Sequence, residues 1–150
     1  LEETRRKIAD SLKVSPGEIV FTSCGTESNN MIIKSSVNYL GVQRIITSPL
    51  EHKCVAETCL EMKKMYGVEL VYLRPDSNGD LDLGQLENLL KNSEKKTLVS
   101  LMHANNEIGN LLDIEKVAVL CNILHPQEGL QNLLKQGVFQ KQNAPRAGSR

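Results

Sequence analysis

The chain has 150 residues, enough for one domain with a real hydrophobic core, and its 18 basic and 18 acidic side chains cancel. That balance excludes the basic footprint of a nucleic-acid or anionic-membrane binder, and no apolar run approaches the roughly 18 residues of a membrane span. The four cysteines, Cys24, Cys54, Cys59 and Cys121, are scattered without a CxxC pair, so they read as free thiols of a cytoplasmic protein rather than a disulfide framework. No charged segment followed by an apolar one opens the chain, so no secretory leader is read. Its first residue, Leu1, already lies inside a helical pattern, which reads as a piece of something longer, from which an organelle address would have been lost.

Apolar periodicity gives an alternation of helices and strands. Glu2 to Leu12 reads as a charged amphipathic helix with Ile8, Ala9 and Leu12 turned inward. VSPGE is a turn, and EIVFT (18 to 22) a short buried strand. Thr26 to about Tyr39 is a helix whose inward face mixes Met31, Ile32, Ser35 and Ser36. RIITS (44 to 48) is the next strand, stopped by Pro49, and Lys53 to Tyr66 is a helix closed by Gly67 as its C-cap. VELVYL is a strand, PDSNGD a turn, Leu83 to Lys91 a helix and TLVSLM an apolar strand. The polar loop HANNEIGN follows, then a helix from Ile114 to Cys121.

Such alternation predicts the α/β class: a mostly parallel sheet with helices on both faces. Right-handed crossovers line up the C-terminal ends of the strands along one edge, where open α/β sheets bind ligands. Three polar loops, SCGTES, SPLEHK and HANNEIGN, fall at such ends. Together they outline a site.

Each loop has a functional and a plain reading. In SCGTES, a small-residue turn enters a helix, whose N-terminus favours anions and whose Gly25 permits close approach; Thr26 and Ser28 add hydroxyl donors. An ordinary N-cap explains the same residues and is favoured by spacing alone. The turn lacks the GK[ST] of a Walker loop. In SPLEHK, His52 is either a surface residue at a helix start or a ring that stacks on a flat ligand and moves protons. A metal set of His52, Cys54 and Cys59 is not supported, because their spacing does not align three ligands on one helical face. In HANNEIGN, Asn105 and Asn106 either form a turn or offer amides to a ligand oxygen.

Taken together, FTSCGTESNN, ITSPLEHKCVAETC, NGDLDLGQLE and LVSLMHANNEIG resemble, in order and approximate spacing, the cysteine desulfurase and selenocysteine lyase group of class V aminotransferase-like enzymes. The resemblance runs from Leu1 to about Cys121. It implies part of the large domain of the PLP-dependent transferase fold type I, with pyridoxal 5'-phosphate (PLP) as cofactor. It also implies cysteine or selenocysteine as substrate, alanine as product, a homodimer, and a place in iron–sulfur, sulfur or selenium metabolism. By the same resemblance Gly25 and Thr26 bind the cofactor phosphate, His52 stacks on its ring and assists proton transfer, and Asn106 hydrogen-bonds near its phenolic oxygen.

Two departures accompany it. Cys24 stands where the family often has glycine or another small residue, and is not the family's catalytic cysteine. From Asn122 to Arg150 the chain shows neither the aspartate nor the Ser/Thr-x-His-Lys segment with its Schiff-base lysine, and no cysteine lies beyond Cys121. Residues 1–121 are therefore expected to form a partial large domain and residues 122–150 a divergent, poorly packed tail, of frame-shifted or alternatively spliced origin. The chain by itself is expected to be inactive. The alternatives are a non-catalytic paralogue or splice product that binds a full-length subunit, and a small phosphate-binding α/β domain.

Overall fold

The structure, a computed structural model, describes residues 1–124. The expectation of a poorly packed tail lies outside the described residues from 125 onward, while 122–124 complete the last helix. Helix α1 (Glu2–Leu12) carries Glu2 and Glu3 at its positive end and turns out of the helix at Lys13, in the left-handed region at φ 55°. Of the expected inward trio, Ala9 is fully buried and Ile8 and Leu12 are half-buried. A single 3₁₀ turn, Pro16–Glu18, follows.

The strand expected at EIVFT does not form. Val20 and Phe21 are 60% and 41% exposed, the Ile19 carbonyl accepts from Arg5 Nη1, and the Arg5 guanidinium lies 5.1 Å from the centre of the Phe21 ring. An apolar run becomes a strand only where a neighbouring strand takes its backbone groups. Here arginine takes one of them.

Helix α2 (Gly25–Asn38) leads to β1 (Arg44–Thr47), α3 (Lys53–Tyr66), β2 (Glu69–Tyr72), α4 (Leu83–Lys91), β3 (Thr97–Val99) and α5 (Ile114–Leu124). The three strands form one parallel sheet in the order β2-β1-β3. β1 lies in the middle, buried along its length. Ile45 pairs with Leu70 and Leu98, and Ile46 with Val71 and Val99. Since neighbouring side chains on a strand point to opposite faces, these two isoleucines serve two cores. Ile45 and Leu98 pack with Ile33 and Val37 of α2 and Val55, Cys59 and Met62 of α3. Ile46 and Val99 pack with Leu86 and Leu90 of α4 and Val117 and Cys121 of α5. The result is the helix–sheet–helix sandwich that the alternation predicts.

The α2 face is rotated from expectation. Ile33, Ser36 and Val37 are buried and Met31 is 40% exposed, because the stripe pointing at Ile45 is the one that covers the sheet. Ser36 fits there because its hydroxyl donates to the Ile32 carbonyl at 2.8 Å. Gly67 caps α3 in the left-handed region at φ 67°.

Helices α2 and α3 run side by side in the same direction: Asn29 meets Cys54, Asn30 meets Thr58 and Lys34 meets Glu61. Their N-termini therefore share one end of the sandwich. α3 covers one face after β1 and α5 the other face after β3. The chain thus leaves the C-terminal ends of these adjacent strands in opposite directions. That divergence is a topological switch point, where open α/β sheets hold ligands.

Thr47, the last residue of β1, is fully buried, and its hydroxyl has no partner among the described residues. An unpaired buried hydroxyl costs about 1–3 kcal/mol. Thr47→Val is expected to raise stability by about 1 kcal/mol, read from urea unfolding midpoints; a loss of stability would show that the hydroxyl has a partner.

Candidate functional site

The N-terminus of α2 is built by a reach-back. Ser23 donates through its N–H and its hydroxyl to Glu27 Oε2, at 2.7 and 2.6 Å, and these bonds hold the Glu27 carboxyl below its ordinary range. Thr22 Oγ1 lies 3.1 Å from the Cys24 carbonyl and 2.5 Å from Ser28 Oγ. Cys24 is the N-cap residue, extended at φ −163°, and makes no side-chain cap bond. Glu27 thus ties Ser23, the residue before the N-cap, back onto the first turn. The exposed Thr26 hydroxyl has no partner among the described residues, so it is free to donate elsewhere.

Cys24 is the unusual group in this turn. The N–H of Glu27, then the Ser23 hydroxyl, then the N–H of Thr26 draw its thiol below the ordinary value. The Ser23 hydroxyl lies 3.8 Å from the Cys24 sulfur, a donor that favours the thiolate. Cys59 and Cys121 lie in the two cores, where burial pushes their thiols up to about 12 and about 11. Iodoacetamide on the folded chain is therefore expected to label Cys24 fastest and to spare Cys59 and Cys121. Labelling of Cys59 at a comparable rate would contradict the packing under α3.

At the head of α3, His52 is the N-cap. Its Nδ1 accepts the Cys54 N–H at 3.2 Å, with Cys54 Sγ 3.0 Å away. A ring nitrogen that accepts a backbone N–H carries no proton, so the imidazole is pinned in one tautomer and presents Nε2 outward. Asn29 Nδ2 of α2 reaches Cys54 Sγ at 3.3 Å. This ties the turn holding Gly25 and Thr26 to the loop holding His52.

Beyond β3, the two asparagines divide their labour. Asn105 Nδ2 donates to the Leu50 carbonyl at 2.9 Å, and its Oδ1 accepts the N–H groups of Glu107 and Ile108 at 2.9 and 3.1 Å. It shapes the turn and binds it to the β1 loop. The exposed Asn106 amide has no partner among the described residues. The structure thus brings the three polar loops to one edge through intermediaries: Asn29 and Cys54 on one side, Leu50 and Asn105 on the other.

Two features escaped the sequence reading. A cavity of about 220 Å³ opens at the switch point between Ser48, Leu50, Met102, Asn105, Gly79 and Leu112, and is not lined by Gly25, Thr26, His52 or Asn106. Glu51, beside His52, accepts the Met102 N–H. Burial pushes its carboxyl up to about 7 against the opposing pull of that bond. Its adjacency to His52 was the available signal. Its hydrogen-bond partner, the Met102 N–H, lies 51 residues further along the chain.

The aminotransferase class-V family matches residues 1–127. The cysteine desulfurase IscS of Vibrio vulnificus (strain YJ016) is 43% identical over 123 residues, covering 81% of this chain and 30% of that protein. IscS of Cronobacter sakazakii (strain ATCC BAA-894) is 44% identical over 119 residues, covering 78% of this chain and 29% of that protein. A solved NifS-like protein superposes with a TM-score of 0.72 at 41% identity, covering 83% of this chain and 34% of its own. SspA in complex with cysteine superposes with a TM-score of 0.70 at 36% identity, covering 80% and 34%. The chain spans about 30% of the length of the curated relatives it matches.

Proposed function

Because the chain belongs to the aminotransferase class-V family, we propose that it is the phosphate- and ring-binding part of a PLP-dependent enzyme. That enzyme takes sulfur from cysteine, or selenium from selenocysteine, and leaves alanine. Relatives named cysteine desulfurase support the substrate class. The observation that carries the reading is the shared end of α2 and α3 at the switch point. There the Thr26 hydroxyl, the outward edge of His52 and the Asn106 amide are all unengaged among the described residues.

The donor set fits the cofactor. First-turn N–H groups, the Gly25 backbone and the Thr26 hydroxyl suit a phosphate at a helix N-terminus. The Cys24 thiol is small enough to leave that turn its shape. The His52 ring, held by Cys54, suits the face of a flat heterocycle, and its Nε2 is placed to hold or pass a proton. The Asn106 amide suits a phenolic oxygen, as donor or acceptor. PLP, when bound, supplies an electron sink for chemistry at the substrate α-carbon. A homodimer and a cytoplasmic location belong to the same proposal; sedimentation velocity reads the first, and a purely monomeric chain would remove it.

Pyridoxine 5'-phosphate tests the reading, since it lacks the aldehyde that condenses with surface lysines. Calorimetry is expected to find saturable binding, weakened about tenfold by Thr26→Val and by His52→Ala, the equivalent of one lost polar contact each. Absence of binding, or binding indifferent to both changes, would remove the reading.

A further inference from the structure

The segments leaving β1 and β3 are stitched at two points. One is the amide of Asn105 on the Leu50 carbonyl, which does not titrate. The other is the Met102 N–H on the Glu51 carboxylate. Glu51 sits in an unusual seat for an acid. Among the described residues it forms no ion pair with lysine, arginine or histidine. The titratable group facing it from α3 is the fully buried thiol of Cys59. From the segment after β3 it meets the Met102 N–H. A neutral amide would make the same hydrogen bond without the cost of burying an unpaired charge, so the carboxylate is a poor choice for a merely structural stitch.

Its place in the chain gives it leverage. Glu51 and His52 are consecutive, and the His52 ring is already fixed to α3 through Cys54. Met102 lies four positions before Asn106, in a segment pinned again at Asn105. The bond from Glu51 to Met102 is therefore one of two links, and the titratable one, between the loops that carry the ring and the amide of the site.

We propose that Glu51 is a positioning residue: its stitch to Met102 holds the His52 ring and the Asn106 amide at a fixed separation across the switch point, and its release lets the two loops part to admit or discharge a planar phosphorylated ligand. This rests on the PLP-site reading above. The latch has a direction with pH. A carboxyl held at about 7 by burial ionises above that value, and any opening that hydrates it becomes easier as pH rises through it. The stitch is shut below and loosens above.

Two measurements on the full chain test this. Hydrogen exchange reads the stitch without any ligand, and pyridoxine 5'-phosphate binding reads its use. In Glu51→Ala, amides of 50–53 and 100–106 are expected to exchange about tenfold faster together, with affinity falling by a similar factor, as for one lost hydrogen bond. Glu51→Gln, which keeps an acceptor, should restore both. In the original chain the protection of Met102 should fall as pH rises through about 7, and in Glu51→Gln it should stay level. That second comparison decides the matter if the alanine variant does not fold. Identical pH profiles for the two chains would overturn the latch, as would loops that loosen in Glu51→Ala while affinity stays the same. If the original chain fails to bind the probe, the PLP-site reading falls and takes the ligand half of this proposal with it, while exchange still decides the stitch.

Discussion

With PLP added, the chain is expected to release neither alanine nor sulfide from cysteine above the rate that PLP alone gives. Removing the α-proton of an amino acid needs a base held against it, and general acid–base positioning contributes about 100- to 10,000-fold. The resemblance gives that role to the lysine of a Ser/Thr-x-His-Lys segment, which residues 1–150 do not contain. His52 does not substitute, because its Nδ1 is engaged by the Cys54 N–H and its ring is the proposed stacking face. The thiols are equally ill placed. Cys59 and Cys121 are buried and hold their protons to about 12 and about 11. Cys24 sits in the turn proposed for phosphate, and Cys54 lies against His52. Mass spectrometry of alanine from labelled cysteine measures the outcome. Robust release that disappeared in Lys135→Ala or Lys141→Ala would overturn it.

The second large effect is on stability. Glu51 titrates at about 7 in the folded chain against an ordinary value of 4.5. Its folded value is raised, so the stability it contributes is fully present below the unfolded value and is lost as pH rises through about 7. Across pH 5 to 8 the chain is expected to lose about 2–3 kcal/mol through this one group. Glu51→Gln removes the titration, so its urea midpoint should exceed that of the original chain at pH 8, the gap narrowing toward pH 5. Equal gaps at both ends would mean that the carboxyl is hydrated and not seated as described.

What the sequence made legible was decided close to home. RIITS and TLVSLM announced strands because a central parallel strand is apolar on both faces, and Gly67 announced the end of α3 because its backbone is left-handed. The strands came out shorter than the runs, β1 ending at Thr47 and β3 at Val99, with the Ser100 N–H still bonded to the Ile46 carbonyl. EIVFT carried the same local signal and failed, because its neighbours are Arg5 and solvent. The four candidate residues were readable as types in polar loops, although Gly25 and Thr26 follow no strand in the fold. Their availability was not: Thr26, His52 and Asn106 are distinguished from Ser23, Cys54 and Asn105 by who bonds to whom. The same holds for Glu51. Its partner is 51 positions away, and no local pattern encodes burial by a distant backbone amide.

The direction in which the chain winds has a consequence of its own. Crossing from β1 to β2 over one face, and from β2 past β1 to β3 over the other, gives both crossings the same hand, and the right hand is the one such crossings nearly always take. Helices on one face then all advance the same way. α5 lies on the face of α4, and the outer edge of β3 has no neighbour among the described residues. The winding sense of the chain thus sets α4 and α5 together on one face and leaves the outer backbone edge of β3 unpaired among the described residues.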